Sequence, residues 1–328
     1  MRDVVVDTEV IRDALWLACR APSLHNSQPW RWRIEGSAVQ LFLDAERAPR
    51  HTDTTGRELV ISCGAVLDHF RVAMAAAAWH TNVDRFPNPN NHHHLASLDF
   101  SPLDFVTDGH RQRADAILRR RTDRLPFAAP EDWEAFAESL APAGGIDDVR
   151  VDVIGEEGRA ALAEASQLTE SLRLYDSPYH AELVGWTVDL PLDEGIPASA
   201  LPSAAESDRV DIGRTFPVVK HPERRREIAD DHANVVVLST YDDTVHNYLR
   251  CGEALSAVLL DATMAGLATC TLTHITEVPA SRQVVAEMIG AGDAVTPQVL
   301  IRVGVAPGSE DMSPPTPRRP IDEVLEIR

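Results

Sequence analysis

The strongest constraint on the fold is an internal repeat of one pattern, a long helix followed by a short turn and a strand. Aligned without gaps, Cys63-Gly64 falls on Cys251-Gly252, and Ala78 falls on Gly266. In both copies apolar residues recur at helical spacing before a strand-like run. A chain of 328 residues is long enough to bury two fused cores. The repeat therefore predicts two similar halves.

A second match sets residues 15–32 beside residues 139–153. Each segment is typical of a helix end, an Ala-Pro loop and a strand. Matches in the same order along the chain indicate duplication. We place the first half at residues 1–105 and the second half at residues 106–328.

The remaining pattern alternates helices and strands. Apolar residues at helical spacing predict helices over residues 10–18, 59–79, 108–121 and 244–265. Alternating or continuous apolar runs predict strands at residues 30–34, 39–43, 149–154, 235–239, 269–274 and 299–305, with another near residue 83. Residues 191–222, which we call the insertion segment, have no clear period. They are predicted to lie over the surface, and a proline-rich C-terminal arm covers residues 307–320.

The two copies have kept different polar residues. The first has the loop APSLHNSQPW at residues 21–30, whereas its counterpart at residues 141–145 lacks the amide pair. The second has Arg119-Arg120-Arg121-Thr122, Gly266-Leu267 and the arm segment Pro317-Arg318-Arg319-Pro320. Together the halves supply one full set, as expected of a fused dimer that keeps one of two symmetric interface sites.

Charge and composition limit the partners. The formal net charge is −20, which argues against nucleic acid or an anionic membrane as a partner. An anionic cofactor would then require arginines concentrated at one place. The N-terminal residues lack the apolar run of a signal peptide, so a cytoplasmic location is expected. The three histidines at residues 92–94 stand in a polar loop without a metal-binding pattern, so no metal site is predicted.

Four segments resemble those of one known family. APSLHNSQPW resembles the APSxxNxQPW segment of FMN-dependent nitroreductases, and RRRTDR resembles their phosphate-binding RxS segment. MAGLATC resembles their AxGLGTC helix end, and VGVAPGSEDMSPPTPRRP resembles their closing segment. The length and LRRRTDRLPF look more narrowly like the tandem nitroreductase-like proteins of mycobacteria called the Acg family. The resemblance implies an α+β nitroreductase-like fold, with two half-copies fused into an intramolecular pseudo-dimer and helices packed on antiparallel-type sheets.

The resemblance also implies one FMN site between the halves. Arginine and hydroxyl groups suit the phosphate dianion, and a side-chain amide suits the pyrimidine edge of the flavin. By similarity, the first half would contribute Ser23, the backbone of Leu24, and Asn26. The second would contribute Arg120, Arg121, Thr122 and Arg318 to the phosphate, with Gly266 and Leu267 near the reactive edge of the ring.

The implied reaction is a ping-pong transfer of two electrons. NAD(P)H would reduce the flavin and leave, and a small-molecule acceptor such as a nitroaromatic or a quinone would take its place. This chemistry requires no side-chain nucleophile or general acid, so no catalytic residue is predicted. The chain is expected to be a monomer with an internal pseudo-dimer, or a weak homodimer.

An alternative function rests on two departures from the family pattern. Ala268 stands where a glycine usually follows Gly-Leu, and the insertion segment could form a lid. A covered flavin would be held tightly but reached poorly by NAD(P)H. The alternative is therefore a flavin-sequestering or sensing protein with little turnover.

Overall fold

The fold consists of two sheets, antiparallel except for one edge strand of the first, and each has helices packed on it. The computed structural model describes residues 5–140, 148–187, 193–290, 292–307 and 315–328. The counterpart loop at residues 141–145 and the first two residues of the insertion segment lie outside the described residues. The predicted α+β class is confirmed.

Nine strands are described in these ranges: β1 (Trp30–Glu35), β2 (Ala38–Leu43), β3 (Trp79–Arg85), β4 (His94–Pro102), β5 (Val149–Ile154), β6 (Asn234–Thr240), β7 (Ala268–Leu272), β8 (Thr296–Gly304) and β9 (Leu325–Ile327). The same ranges contain these α-helices: α1 (Thr8–Ala18), α2 (Arg57–Ala76), α3 (Asp108–Arg119), α4 (Trp133–Leu140), α5 (Glu156–Arg173), α6 (Ser177–Trp186), α7 (Ala204–Ser207), α8 (Val245–Met264), α9 (His274–Glu277), α10 (Pro279–Met288) and α11 (Ile321–Val324).

The two sheets have matching strand orders. The first sheet runs β3-β4-β2-β1-β9, and the second runs β7-β8-β6-β5 when read from the corresponding edge. Apart from β9, each strand of the first sheet thus has a partner in the second at the same place in the order. Neighbouring strands pair antiparallel throughout these eight.

Helices α2 and α8 cross at the two glycines that the repeat aligns. A Cβ atom on Gly64 would lie 2.1 Å from the Leu249 carbonyl oxygen, and one on Gly252 would lie 2.0 Å from the Ile61 carbonyl oxygen. Only glycine permits so close an approach of two backbones. Because the two contacts mirror each other, the helices cross about an approximate two-fold axis at this point.

The two long helices also end in the same way. The residue two positions after each helix has a left-handed backbone, with φ of 70° at Ala78 and 77° at Gly266. Such a residue commonly terminates an α-helix, and glycine adopts the conformation at least cost. The predicted end of the first helix at residue 79 was too late, since α2 ends at Ala76.

The hydrophobic core follows the division into two sheets. Trp30, Trp32 and Phe70 are buried between α2 and the first sheet, while Val236 and Val258 are buried in the second half. Within the described residues, α2 is the one helix long and apolar enough to span a membrane, but 83% of its most apolar window is buried inside the protein. A core helix has the same composition.

Two strands were not predicted. Residues 87–93 are the loop of a hairpin that joins β3 to β4, rather than a linker. The short strand β9 follows the C-terminal arm and pairs parallel with β1, so the end of the second half completes the first sheet. The proposed boundary at residues 105 and 106 stays a prediction.

The insertion segment is partly a core element, contrary to the expectation from its composition. Leu201 and Ile212 are fully buried, and Ile212 packs with Phe127 and Leu300 in the second half. Single apolar residues spaced irregularly along an extended segment can anchor it without producing a helical or strand period.

Candidate functional site

The loop between α1 and β1 has a backbone that side chains rarely adopt. His25, Asn26 and Gln28 have φ angles of 50°, 57° and 50°. Such angles outside glycine cost about 1–3 kcal/mol each and persist only where neighbouring contacts hold them. The Leu24 amide N donates to Ser62 Oγ of α2 over 3.1 Å, which holds the loop against the helix crossing.

Two amide side chains connect this loop to distant parts of the second half. Gln28 Nε2 donates to the Asp193 carbonyl oxygen over 2.7 Å, and Gln28 Oε1 accepts from the Arg319 amide N over 2.9 Å. Asn26 Nδ2 donates to the carbonyl oxygens of Gly195 and Pro317, each at 3.1 Å. The insertion segment and the C-terminal arm therefore meet at this loop.

Five arginines surround a small cavity beside the loop. They are Arg20, Arg120, Arg121, Arg124 and Arg318, and the cavity is also lined by Ser23, Asn26 and Thr122. Within the described residues, none of the five forms an ion pair with a carboxylate, although most other arginines in this acidic chain do. An unneutralised cluster of this kind is suited to a bound anion.

Arg120 is the least satisfied member of the cluster. Its side chain is 5% exposed, its Nε has no hydrogen-bond partner, and its Nη2 reaches the Arg20 carbonyl oxygen only at 3.4 Å. Burial, with the charges of Arg121 and Arg20, lowers the pKa of its guanidinium to about 10. The buried Nε of Arg121 also has no partner. A doubly charged anion would relieve this repulsion and accept these donors.

Arg318 has a structural role in addition to its predicted one. Its Nε donates to the Cys19 carbonyl oxygen, and its Nη2 donates to those of Arg20 and Ala21, each at 3.1 Å. These carbonyls follow the end of α1, so Arg318 caps that helix and fastens the C-terminal arm. Burial and the nearby Arg120 hold its pKa well below the usual value.

A larger cavity of about 710 Å³ adjoins the small one. Its walls come from the loop at residues 22–25, the crossing helices, the strand β7, the helix α5 and the insertion segment. Pro22, Ser23, Thr122 and Arg124 line both cavities. The two spaces therefore suit an elongated ligand with a bulky part at one end and an anionic group at the other.

Several ionisable groups line the larger cavity. His25 and His274 are fully buried by their neighbours, and this burial, together with nearby arginines, holds the pKa of each well below the usual value. His274 Nε2 lies 2.9 Å from Ser166 Oγ. Arg214 forms an ion pair with Glu277 and donates to Tyr179 Oη over 2.8 Å. Burial thus favours the neutral form of both histidines, and the charge of Arg214 is paired with that of Glu277.

Most of the predicted site residues come together. Ser23 and Thr122 line both cavities, Leu24 lines the larger one, and Asn26, Arg120, Arg121 and Arg318 line the smaller one. The expected role of Asn26 changes, because the side chain lies among the arginines and its Nδ2 is used by two carbonyls, although its buried Oδ1 has no partner.

Gly266 and Leu267 are not brought to the site. Neither lines either cavity; Gly266 ends α8 with a left-handed φ and has open space where a Cβ would be, and Leu267 packs on the second core. Helix termination accounts for the left-handed φ of Gly266, and the roles of Gly266 and Leu267 beside a flavin ring stay predictions.

The sequence reasoning missed Arg20, Arg124, Arg214 and Glu58. Arg20 directly precedes the APS loop and Arg124 lies within RRRTDR, so both could have been found from their positions beside the recognised segments. Arg214 lies in the aperiodic insertion segment, and Glu58 begins a helix where acidic residues are common, so neither carries a local signal.

The structure is therefore an α+β protein with two sheets, two crossed central helices and a cavity lined by arginines. No family model matches the chain. A protein of Mycobacterium tuberculosis with the name "Putative NAD(P)H nitroreductase acg" is 63% identical over 328 residues, covering 100% of this chain and 98% of that protein. An uncharacterized protein of the same organism is 51% identical, covering 97% of this chain and 93% of its own length. Among solved structures, a nitroreductase from Anabaena variabilis is similar with 11% identity and a TM-score of 0.48, covering 90% of this chain and 73% of its own.

The chain belongs to the nitroreductase-like Acg family, as its full-length identity to the first of these relatives shows.

Proposed function

We propose that this protein binds one FMN and acts as an NAD(P)H-dependent oxidoreductase of the nitroreductase type. The acceptor would be a small nitroaromatic or quinone-type molecule. The observation that carries the proposal is the arginine cluster, which has no carboxylate partners among the described residues, next to a cavity large enough for a flavin ring. The NAD(P)H nitroreductase name of the 63% identical relative supports the same assignment.

The residues present fit the phosphate of FMN. Arg120 and Arg121 each have a buried Nε without a partner, and Thr122 and Ser23 supply hydroxyl groups. A phosphate dianion would accept hydrogen bonds from these donors and offset the mutual repulsion of the arginines. Arg20 and Arg318 would add positive charge without needing direct contact.

The larger cavity fits the ring system. Its volume of about 710 Å³ lies within the range of roughly 300–1,000 Å³ that is common for cofactor and ligand pockets. FMN would supply the hydride chemistry there. The protein would hold the ring between the fixed loop and α2, place the charge of Arg214 nearby, and exclude water with the insertion segment.

We also infer that the chain is a fused dimer with one retained site. The loop at residues 21–30 comes from the first copy of the repeat, and the arginines at residues 120–124 come from the second. The matching strand orders and the mirrored glycine contacts support duplication. An intramolecular pseudo-dimer needs no second chain to complete the site, so a monomer in the cytoplasm is the expected state.

A second candidate function, flavin sequestration with little turnover, is favoured by the anchoring of the insertion segment. Residues 207–216 form one wall of the larger cavity. They are held by the buried side chain of Ile212 and by the ion pair of Arg159 with Asp211. A wall fixed in this way would leave less room for a nicotinamide to stack on the ring.

The visible spectrum of the purified protein tests both candidates. One FMN per chain that loses its absorbance when NADPH is added without oxygen would support the reductase. A flavin spectrum that persists with NADPH but bleaches with dithionite would support sequestration. Failure to take up FMN after reconstitution would contradict both.

A further inference from the structure

Glu58 occupies the boundary between the larger cavity and a second cavity on the other side of α2. The second cavity has a volume of about 480 Å³ and is bounded by Thr52, Tyr248 and Arg282 among others. Among the described lining residues, Glu58 is the one that both cavities share. Its side chain, which is 2% exposed, therefore lies between the two spaces.

The contacts of Glu58 fix one carboxyl oxygen and leave the other free. Oε1 accepts from Arg57 Nη2 over 2.8 Å, whereas the buried Oε2 has no hydrogen-bond partner in the part of the chain that the structure describes. The backbone at this point is held by Ser62 Oγ, which donates to the Glu58 carbonyl oxygen over 2.7 Å and accepts from the Leu24 amide N. Because Glu58 lines both cavities, its carboxyl group is the one that a molecule in either cavity would meet.

The charges around Glu58 favour its neutral form. Burial is the largest cause that raises its pKa well above the usual value, and the charge of Glu277 adds to it. Arg57 acts in the opposite direction, but its guanidinium is shared with Gln298 and Thr276. Asp53 raises and Arg214 lowers the pKa as further, smaller contributions.

The other acid–base candidates in the cavity are less suited to donating a proton. His25 and His274 have pKa values well below the usual value, so near neutral pH each has already lost the proton it would give. His274 Nε2 is also engaged with Ser166 Oγ, at 2.9 Å. A neutral carboxylic acid has a proton to give under the same conditions.

We propose that Glu58 is the acid that protonates the acceptor in the larger cavity and is then reprotonated by solvent through the second cavity. The proposal rests on the proposed reductase function. With a quinone acceptor, the hydride brings two electrons and one proton to the quinone. The O–H bond of Glu58 breaks to give the second proton to the quinone oxygen, which completes the hydroquinone. The carboxylate that remains takes up a proton from a hydronium ion of the solvent, which reaches it through the second cavity and leaves as water.

The first test needs neither cofactor nor turnover. The infrared spectrum of the apoprotein at pH 7 should contain a carboxylic acid C=O band that disappears in Glu58→Gln, while the exposed Glu46→Gln leaves it in place. A spectrum in which Glu58→Gln removes no such band would overturn the proposal, because Glu58 would then have no proton to give.

The second test measures the proton transfer itself. FMN-loaded protein is reduced with dithionite, freed of excess reductant and mixed with benzoquinone in a stopped-flow instrument. Glu58→Gln should slow reoxidation about 100-fold with little change in FMN content, and Glu58→Asp should recover part of the rate. The wild-type rate should show a solvent deuterium isotope effect that Glu58→Gln changes.

The two failures can be told apart. If wild type and Glu58→Gln are reoxidised equally fast, the role of Glu58 is wrong and the reductase function stands. If the reduced wild type does not react with benzoquinone, the reductase function fails, and the proposal that rests on it fails with it.

Discussion

The approximate two-fold axis relates the candidate site to a counterpart region made of the equivalent helices and strands. The two regions differ in whether their arginines are paired with carboxylates. In the gapless alignment of α2 with α8, continued into the strands that follow, Ser62 matches Arg250 and Thr273 matches Arg85. Ser62 and Thr273 line the larger cavity. At the counterpart, Arg85 and Arg250 both bind the fully buried carboxylate of Glu253, at 2.7 and 2.8 Å.

The difference between these regions lies in where each arginine finds its negative charge. The counterpart arginines have a carboxylate within the chain, so that region is electrically complete without a ligand. The five arginines around the small cavity have none among the described residues, so they remain mutually repulsive until an anion arrives. Equivalent backbone positions can thus become a structural ion cluster or a binding site through a few side chains.

The largest expected effect is the loss of stability when a side chain is added at the helix crossing, on the axis that relates the two regions. Gly64→Ala and Gly252→Ala should each lower the free energy of unfolding by about 4 kcal/mol, above the usual cost of overpacking because both contacting atoms belong to backbones. Urea unfolding of the two variants measures this. Gly185→Ala, at a position with open space for a Cβ, is the control. Clearly unequal losses at Gly64 and Gly252 would break the proposed symmetry.

The next largest effect should be a loss of stability at the counterpart region that leaves the candidate site unchanged. Glu253→Ala leaves Arg85 and Arg250 without their carboxylate and should lower the free energy of unfolding by about 3 kcal/mol. Its FMN content should not change. Asp108→Ala removes an exposed partner of Arg111 and should have little effect on urea unfolding. A Glu253→Ala protein as stable as wild type would mean that the counterpart cluster is not structural.

Arg120→Met should have the opposite pattern of effects, with weaker FMN binding and no loss of stability. Removing a buried charge that has no carboxylate should leave the apoprotein as stable as wild type or more stable. The loss of a charge-assisted phosphate contact should weaken FMN binding by about 2 kcal/mol, or roughly 30-fold. Fluorescence titration with FMN measures the affinity, with Arg111→Met on the exposed face of α3 as the control. Unchanged affinity would contradict the assignment of the phosphate position.

The smallest effect sharpens the comparison of the two helix ends. Ala78→Gly should stabilise the protein by about 1 kcal/mol, because it relieves a left-handed backbone at a residue with a Cβ. Gly266→Ala should destabilise it by a similar amount for the same reason. Thermal unfolding of the pair tests this, and shifts of equal sign would show that the two ends differ in more than the aligned residue.

The sequence was sufficient to predict the helices and strands whose apolar pattern is local and long. The repeat located both central helices, and the strand at residues 149–154 was predicted with the bounds that β5 has. Strand β4 was missed because the run of Pro, Asn and His before it reads as a linker. Strand β9 has three residues and depends on pairing with β1, so no local pattern could reveal it.

The site was predictable where a recognised segment carries it, and less so elsewhere. Arg120, Arg121 and Thr122 were found together because they are consecutive in the chain. Glu58 and Arg214 reach the cavity through tertiary packing from a helix start and from an irregular segment. The role of Gly266 beside the flavin stays a prediction, because a glycine required by backbone geometry and a glycine required by a ligand look the same in a sequence.

The C-terminal arm has a consequence for the order in which the protein can be completed on the ribosome. Strand β9 supplies the edge of the first sheet, and Arg318 caps the first helix of the chain. Both are far behind their partners in the chain, so they are synthesised later, and domains generally fold as they emerge. The N-terminal half must therefore wait, with an open sheet edge and an uncapped helix, until β9 and Arg318 have been synthesised. During that interval, the open sheet edge and the uncapped helix end are what a chaperone would protect.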